Sequence, residues 1–219
     1  MAEGVPVNKQ RILIAGLLLA MFSAAGTGLV AFTHQQTAER IAANEREALL
    51  RSLTALVPES SIDNDIVSDR TSVSSVELLG GTEIDVYLGR KGVEPVAAVF
   101  ASVVPDGYSG PIKLLVAVRV DGTLGGVRIV SHKETPGLGD KVEERRSDWV
   151  YSFNDKSLDN PDISGWKVKR DGGIFDQFAG ATITPRSIVK AVKNTLIYFR
   201  ENGRALFSSK AKPQEQKNG

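Results

Sequence analysis

The chain has 219 residues, a net charge of +1 and a hydrophobic content of 42%. This length fits one folded domain with appended segments, and the near-neutral charge argues against a nucleic-acid partner, which usually leaves a basic patch. With no cysteine, the sequence excludes disulfides, thiolate metal centres and iron–sulfur clusters, and its two histidines argue against a multi-histidine metal or haem site. Any redox chemistry must therefore come from an organic cofactor.

The N-terminal region contains an uncharged apolar run of 21 residues, from Ile12 to Phe32. A helix of this length spans the roughly 30 Å hydrocarbon core of a bilayer. A cleaved signal peptide is the alternative, although its apolar region is usually about 7–15 residues long and ends at a small-residue cleavage site. The length of the run and the lack of a clear cleavage site favour a retained transmembrane helix at 12–32.

The charges beside this run predict its orientation. Lys9 and Arg11 precede it, and the next basic residue is Arg40. The positive-inside rule then leaves residues 1–11 in the cytoplasm and exports the rest of the chain. We therefore expect a single-pass inner-membrane protein whose C-terminal domain is periplasmic.

Residues 33–69 are predicted to form a helical stalk and a connection. Apolar residues recur at helical spacing between Thr37 and Val57, and Pro58 ends the pattern. Two interpretations of this helix stay open. It continues the transmembrane helix as a stalk against the domain or a neighbouring protein of the same assembly, or it is a core helix of the domain. The polar residues 59–75 are interpreted as a connection.

The domain itself is predicted to span 70–207. Four apolar runs have strand character, at residues 82–88, 96–104, 112–120 and 126–131. Turn residues at 105–107 and 121–122 separate them, which predicts antiparallel neighbours. An apolar stripe predicts a helix over 185–200 that stops at Asn202-Gly203, and the tail 208–219 is predicted to be disordered. The expected fold is α+β, with a mainly antiparallel sheet and flanking helices.

Two segments stand out from ordinary core patterning. The first, His132-Lys133-Glu134-Thr135-Pro136-Gly137-Leu138-Gly139, follows a predicted strand. Its proline and two glycines specify a tight loop that allows close approach, which serves a ligand or simply turns a corner.

The second segment runs from Phe175 to Arg186. Thr184 before Pro185 has the form of a helix N-cap followed by proline at the first helical position. The free amides of such a helix attract a phosphate, Gly180 and Ala181 leave room for it, and Arg186 adds positive charge. A well-capped helix without a ligand is the alternative interpretation.

The residues Asp176-x-x-Ala179-Gly180-Ala181-Thr182-Ile183-Thr184 resemble the flavinylation motif of the FMN-binding domain family, Asp-x-x-Ser/Thr-Gly-Ala-Thr-x-Thr. The resemblance implies that FMN is bound covalently, through a phosphoester to Thr184. Asp176, Gly180, Ala181 and Thr182 are the other residues carried over from this motif. Ala179 departs from it, because the family usually has a hydroxyl residue there.

The loop at 132–139 resembles a second loop of the same family. The resemblance implies that Thr135, Gly137, Leu138 and Gly139 pack against the flavin, with His132 and Glu134 as neighbours of its ring or phosphate. The sequence around both motifs resembles the flavoprotein subunits of Rnf-type electron transport complexes.

This resemblance also implies a role and partners. The chain would relay electrons, together with other membrane subunits, in a complex that couples ferredoxin/NAD electron transfer to ion translocation, and no catalytic or metal-binding residue is assigned to it. Because no dedicated base is evident beside Thr184, attachment is expected to need a flavin transferase of the ApbE type. The alternatives are the C subunit of a sodium-translocating NADH:quinone reductase, a membrane-anchored regulator outside a pump, and a scaffold without flavin.

Overall fold

The structure, a computed structural model, describes residues 9–208. Predictions that concern residues 1–8 and 209–219, including most of the expected disordered tail, lie outside the described residues. The chain divides into two compact units, Met1–Ala48 and Leu49–Gly219. Among the described residues, 9–48 of the first unit are helical, and the second unit contains the end of the same helix, the sheet and two further α-helices.

Helix α1 spans Lys9–Leu56. Among residues 9–208 it is the one helix long and apolar enough to cross a membrane. Its large apolar side chains in the first unit are exposed, with Leu17 73% and Phe22 71% accessible. A continuous apolar surface of this kind is unfavourable in water and is typical of a membrane or partner contact.

Five strands form a single antiparallel meander in the order β1-β2-β3-β4-β5. Their bounds are β1 Arg70–Ser75, β2 Gly81–Lys91, β3 Glu94–Val104, β4 Ile112–Arg119 and β5 Leu124–Ser131. The α+β fold and its antiparallel sheet are therefore confirmed.

The first strand corrects the interpretation of residues 59–75 as a connection. Strand β1 is followed by a short helix, α2 (Val76–Leu79), which Ser75 caps by accepting a hydrogen bond from the backbone N–H of Leu78. Because β1 lies at the edge of the sheet and is half-exposed, its sequence is polar and has no apolar run to reveal it.

Both faces of the sheet are buried. Val86, Phe100 and Val116 are fully inaccessible within the larger core cluster. On the opposite face, Val99 is equally inaccessible and belongs to a second cluster with Leu53 at the end of α1. The sequence of a strand that is covered on both faces is a continuous apolar run rather than an alternation of apolar and polar residues. Both open interpretations hold in part: α1 runs without a break from the apolar segment to Leu56, and its last turns, from Leu49 on, belong to the core of the domain.

Helix α3 spans Ile183–Ser208, well beyond the predicted end at residue 200. The expected stop at Asn202-Gly203 was wrong. Gly203 is buried, and a Cβ there would lie 3.0 Å from the ring of Phe199, while Leu206 one turn later is only 5% exposed. Burying a leucine gives about 1.5–3 kcal/mol, which exceeds the roughly 1 kcal/mol cost of a glycine in a helix.

An aromatic cluster organises residues 139–178, for which no element was predicted. The Phe153 ring stacks 4.8 Å from that of Phe175, and Trp166 lies 5.1 Å from Phe175. The indole of Trp149 donates to the backbone carbonyl of Asp176 at 2.8 Å. This segment consists of short 3-10 turns, so it has no periodicity to read from the sequence.

Replacing Phe153 tests the weight of this cluster. Phe153→Ala is expected to lower the free energy of unfolding by about 3–5 kcal/mol, because it leaves a cavity among fully buried rings. Val93→Ala is the control, since Val93 is 91% exposed in the turn between β2 and β3 and should change little. Urea unfolding of the detergent-solubilised chain, followed by far-ultraviolet circular dichroism, gives both values. Equal unfolding energies would contradict the cluster's role.

Candidate functional site

A cleft of about 170 Å³ lies where three loops meet. One loop connects β3 to β4, the second follows β5, and the third precedes α3. Its lining comes from all three: Tyr108 from the first, Glu134, Thr135, Leu138 and Gly139 from the second, and Gly180, Ala181, Thr182 and Ile183 from the third. The structure thus brings the two segments singled out in the sequence into one site.

The third loop is a tight turn that requires glycine at position 180. The N–H of Ala181 donates to the carbonyl of Phe178 at 3.1 Å, and Gly180 has a φ of +79°. A Cβ at this position would also lie 3.4 Å from Cδ2 of Leu138, in the facing loop. Glycine therefore serves the left-handed turn, whereas the distance to Leu138 is that of an ordinary van der Waals contact.

Helix α3 begins one residue before Thr184, which corrects the predicted cap. Its first residue is Ile183, so Thr182 occupies the N-cap position, and the carbonyl of Thr182 accepts from the N–H of Arg186 at 3.4 Å. Pro185 falls within the first turn, where backbone N–H groups have no partner inside the helix. Because of this, the N–H that proline lacks costs the helix little. Thr184 points inward and is fully buried.

The hydroxyl of Thr184 donates a hydrogen bond to Oε2 of Glu134 at 2.5 Å. Glu134 is itself only 5% exposed, and its Oε1 accepts from the backbone N–H of Ser109 at 3.0 Å. The structure therefore places a carboxyl group within hydrogen-bond reach of the Thr184 hydroxyl, where the sequence interpretation found no base.

Gly139 packs directly onto this pair. A Cβ at position 139 would lie 2.7 Å from Oε2 of Glu134 and 3.1 Å from Oγ1 of Thr184. Only a residue without a side chain lets the loop approach so closely. The loop after β5 consequently covers the threonine hydroxyl.

His132 supports the loop from outside the cleft lining. Its Nδ1 accepts from the N–H of Glu134 at 3.0 Å, and its Nε2 lies 2.8 Å from Oε1 of Glu143. This arrangement assigns the ring proton to Nε2. Burial acts to raise the pKa of Glu143, but hydrogen bonds from His132 and Arg145 outweigh it, so this pKa lies below its usual range. The hydrogen bonds from Glu143 through His132 to the N–H of Glu134 therefore fix the backbone orientation at Glu134.

Asp176 and Arg186 are engaged in ion pairs away from the cleft lining. The Asp176 carboxylate is 68% exposed and lies 2.6 Å from Nζ of Lys169. Arg186 forms a two-pronged pair with Asp171, at 2.6 and 2.9 Å, and these hydrogen bonds hold the pKa of Asp171 below its ordinary value. Among the described residues, no group of three or more acidic or histidine side chains could hold a metal ion.

The loop between β3 and β4 was missed as part of the site. It supplies Tyr108, 69% exposed at the cleft, and the Ser109 amide that holds Glu134. Gly107 allows this, since a Cβ there would lie 3.0 Å from Oε1 of Glu134. The signal in the sequence is the pair of glycines, Gly107 and Gly110, within one strand connection.

The donor set of the site fits a ligand with a phosphate and a flat apolar part. Unpaired amides at the start of α3 favour an anion, and Tyr108, Leu138 and Ile183 form an exposed apolar rim. At about 170 Å³ the cleft is smaller than the 300–1,000 Å³ typical of complete ligand pockets, so it suits the phosphate end of a nucleotide. Fold and site together define a nucleotide-binding domain attached to one candidate membrane helix.

Comparison with known families agrees with this class. The FMN-binding domain family matches residues 107–197, which include every residue that lines the cleft. A second family, described as the RnfG N-terminal region, matches residues 1–56. The two matches correspond to the cleft and to helix α1.

Individual relatives extend the similarity over nearly the whole chain. The G subunit of the ion-translocating oxidoreductase complex of Pseudoalteromonas atlantica is 47% identical over 92% of this chain and 94% of the relative. The G subunits of Vibrio atlanticus and Pseudomonas aeruginosa are each 46% identical, over 88% and 92% of this chain and 92% and 94% of the relatives. The chain therefore belongs to the G-subunit family of ion-translocating oxidoreductase complexes, and it is an electron-transport flavoprotein with an FMN-binding domain.

Changing Gly139 to alanine tests the packing over the threonine. The added methyl group is expected to displace the Glu134 carboxylate and to lower the free energy of unfolding by about 1–3 kcal/mol. Pro136→Ala, an exposed position of the same loop, is the control and should change it far less. Urea unfolding of flavin-free protein provides the comparison. A Gly139→Ala variant as stable as the wild type would contradict the close contact.

Proposed function

We propose that the chain is a membrane-anchored covalent flavoprotein subunit of an Rnf-type complex. In this proposal FMN is esterified to Thr184, and the chain relays electrons within a complex that couples ferredoxin/NAD electron transfer to ion translocation. The ferredoxin, NAD and ion sites then belong to other membrane subunits. The names of the relatives, which are G subunits of ion-translocating oxidoreductase complexes, favour this assembly over a sodium-translocating NADH:quinone reductase.

The observation that carries the proposal is the position of Thr184. Its hydroxyl lies in the first turn of α3, beside the cleft, and donates a hydrogen bond to the carboxyl group of Glu134. Thr182, the competing acceptor, lines the cleft and is half-buried. Both hydroxyls lie at the start of α3, where a phosphate would bind, and mass spectrometry distinguishes them.

The chain's own groups would hold the cofactor in three ways. The amides at the start of α3 bind the phosphate, Gly180 and Gly139 let it approach the backbone, and Leu138 and Tyr108 pack beside the ring. When bound, the flavin supplies the electron-transfer chemistry, while the protein sets its orientation and surroundings. A covalent link also prevents loss of the cofactor to a dilute compartment.

Attachment requires the loop over Thr184 to move. Thr184 is fully buried beneath Gly139, whereas residues 135–138 of the same loop are exposed. A separate flavin transferase of the ApbE type would therefore act on a conformation in which this loop has opened. The tight turn at Gly180 stays in place because its own backbone hydrogen bond holds it.

Mass spectrometry of protein purified from its own membranes tests the attachment. The peptide containing Thr184 should carry one FMN less one water, and Thr184→Ala should abolish this increment. That variant leaves Glu134 without its hydroxyl partner, so it should also cost about 1–3 kcal/mol of stability while remaining folded. Thr182→Ala removes the competing hydroxyl and should weaken attachment without abolishing it. Loss in Thr182→Ala with retention in Thr184→Ala would assign the acceptor to Thr182.

Membrane orientation can be tested because the natural chain has no cysteine. Val93→Cys places a single thiol at a position that is 91% exposed in the folded unit. A membrane-impermeant maleimide should label it in intact spheroplasts, as expected for a periplasmic domain. Ala2→Cys, before the basic residues Lys9 and Arg11, should react only after the membrane is permeabilised. The opposite labelling pattern would place the domain in the cytoplasm.

A further inference from the structure

Glu134 is a buried carboxylate whose role goes beyond lining a cleft. It is 5% exposed, and its two oxygens have different partners. Oε1 accepts from the Ser109 amide at 3.0 Å, and Oε2 accepts from the Thr184 hydroxyl at 2.5 Å. A buried polar group is costly unless its hydrogen bonds are made. Here one of its bonds is made to the very hydroxyl that the proposed function modifies.

We propose that Glu134 takes the proton of Thr184 when FMN is attached, so that the chain itself supplies the base for its own modification. This inference rests on the proposed function, because it deepens the attachment to Thr184. A threonine hydroxyl is a weak nucleophile, and an adjacent base within hydrogen-bond reach is what activates such a group. The 2.5 Å contact meets that geometric requirement.

The co-substrate is a flavin dinucleotide, whose pyrophosphate joins an FMN half to an AMP half. Oγ1 of Thr184 attacks the phosphorus of the FMN half, and the Oγ1–P bond forms. The bond from this phosphorus to the bridging oxygen breaks, and AMP leaves with that oxygen. The hydroxyl proton passes to Oε2 of Glu134, and no atom changes its oxidation state.

Two anchors hold Glu134 in place while the loop beyond it opens. The Ser109 amide holds Oε1, and the backbone N–H of Glu134 is bonded to His132, which Glu143 orients in turn. Residues 135–138 are exposed, and none of them makes either of these two bonds. The base therefore stays with Thr184 when Gly139 lifts away.

The same arrangement explains selection of one threonine over the other. Among residues 9–208, Glu134 is the carboxylate bonded to Thr184, and no carboxylate is hydrogen-bonded to Thr182. Asp140, the next buried carboxylate along the chain, lies 3.4 Å from Nε of Arg146 instead. Thr182 is the more accessible hydroxyl, but Thr184 is the one with a base.

Kinetics of FMN transfer to the purified full-length chain test this assignment. A purified flavin transferase is supplied with the flavin dinucleotide and Mg²⁺, and covalent FMN is counted by intact mass. For Glu134→Gln, kcat for the acceptor chain is expected to fall about 100-fold or more, the usual contribution of a general base, while KM changes by less than about twofold. Glu83→Gln, an exposed carboxylate on β2, is the matched control and should behave as the wild type.

The outcomes separate this inference from the proposed function. An unchanged kcat in Glu134→Gln, or a raised KM with normal kcat, overturns the role of base and leaves attachment to Thr184 intact. Absence of FMN on Thr184 in the wild type overturns the proposed function itself. If circular dichroism shows that Glu134→Gln is unfolded, Glu134→Asp decides instead, because it keeps the carboxylate but draws it back from Thr184 by one methylene. A kcat that falls while KM is unchanged supports the base, and an unchanged kcat overturns it.

Discussion

The sheet has two apolar faces, and the rest of the structure follows from the need to cover both. Val99 on one face packs in the cluster that contains Leu53 of α1, and Phe100 on the other packs in the cluster that contains α3. Burial of Ile188 and Val192 along α3 sets the position of that helix against the sheet. Because the helix packs against the sheet along its length, its first turn lies beside the loops at one end of β5. The site is thus a consequence of how the core is closed.

At that end, a buried polar pair joins segments that are distant in the chain. Thr184 and Glu134 are separated by 50 residues, and their side chains are nearly inaccessible to water. Such groups are tolerated inside a protein only when their hydrogen bonds are made, and here the Ser109 amide completes the set. The pair therefore fixes the mutual position of all three loops. It also holds the hydroxyl of Thr184 in one orientation, which is what a modification at a single atom requires.

Much of the fold was predictable, and the omissions share a physical cause. Strands β2 to β5 were found because buried strands carry apolar runs or alternation. The edge strand β1 is polar and paired on one side, and the segment from Trp149 to Phe178 is built from short turns, so neither has a period. The length of α3 was underestimated because the local signal of Asn202-Gly203 competes with burial of Leu206, and burial prevails.

By itself, the sequence determined the candidate membrane span, the antiparallel strands β2 to β5 and two of the three loops that form the site, since each depends on local pattern. Tertiary structure alone decided which groups act together there. In the folded chain Arg186 pairs with Asp171, and His132 binds the backbone of Glu134. Tyr108 lines the cleft, and Glu134 accepts a hydrogen bond from Thr184. Residue spacing sets which face of an element a side chain lies on, whereas contacts between distant residues depend on how the elements pack, and no local pattern encodes that packing.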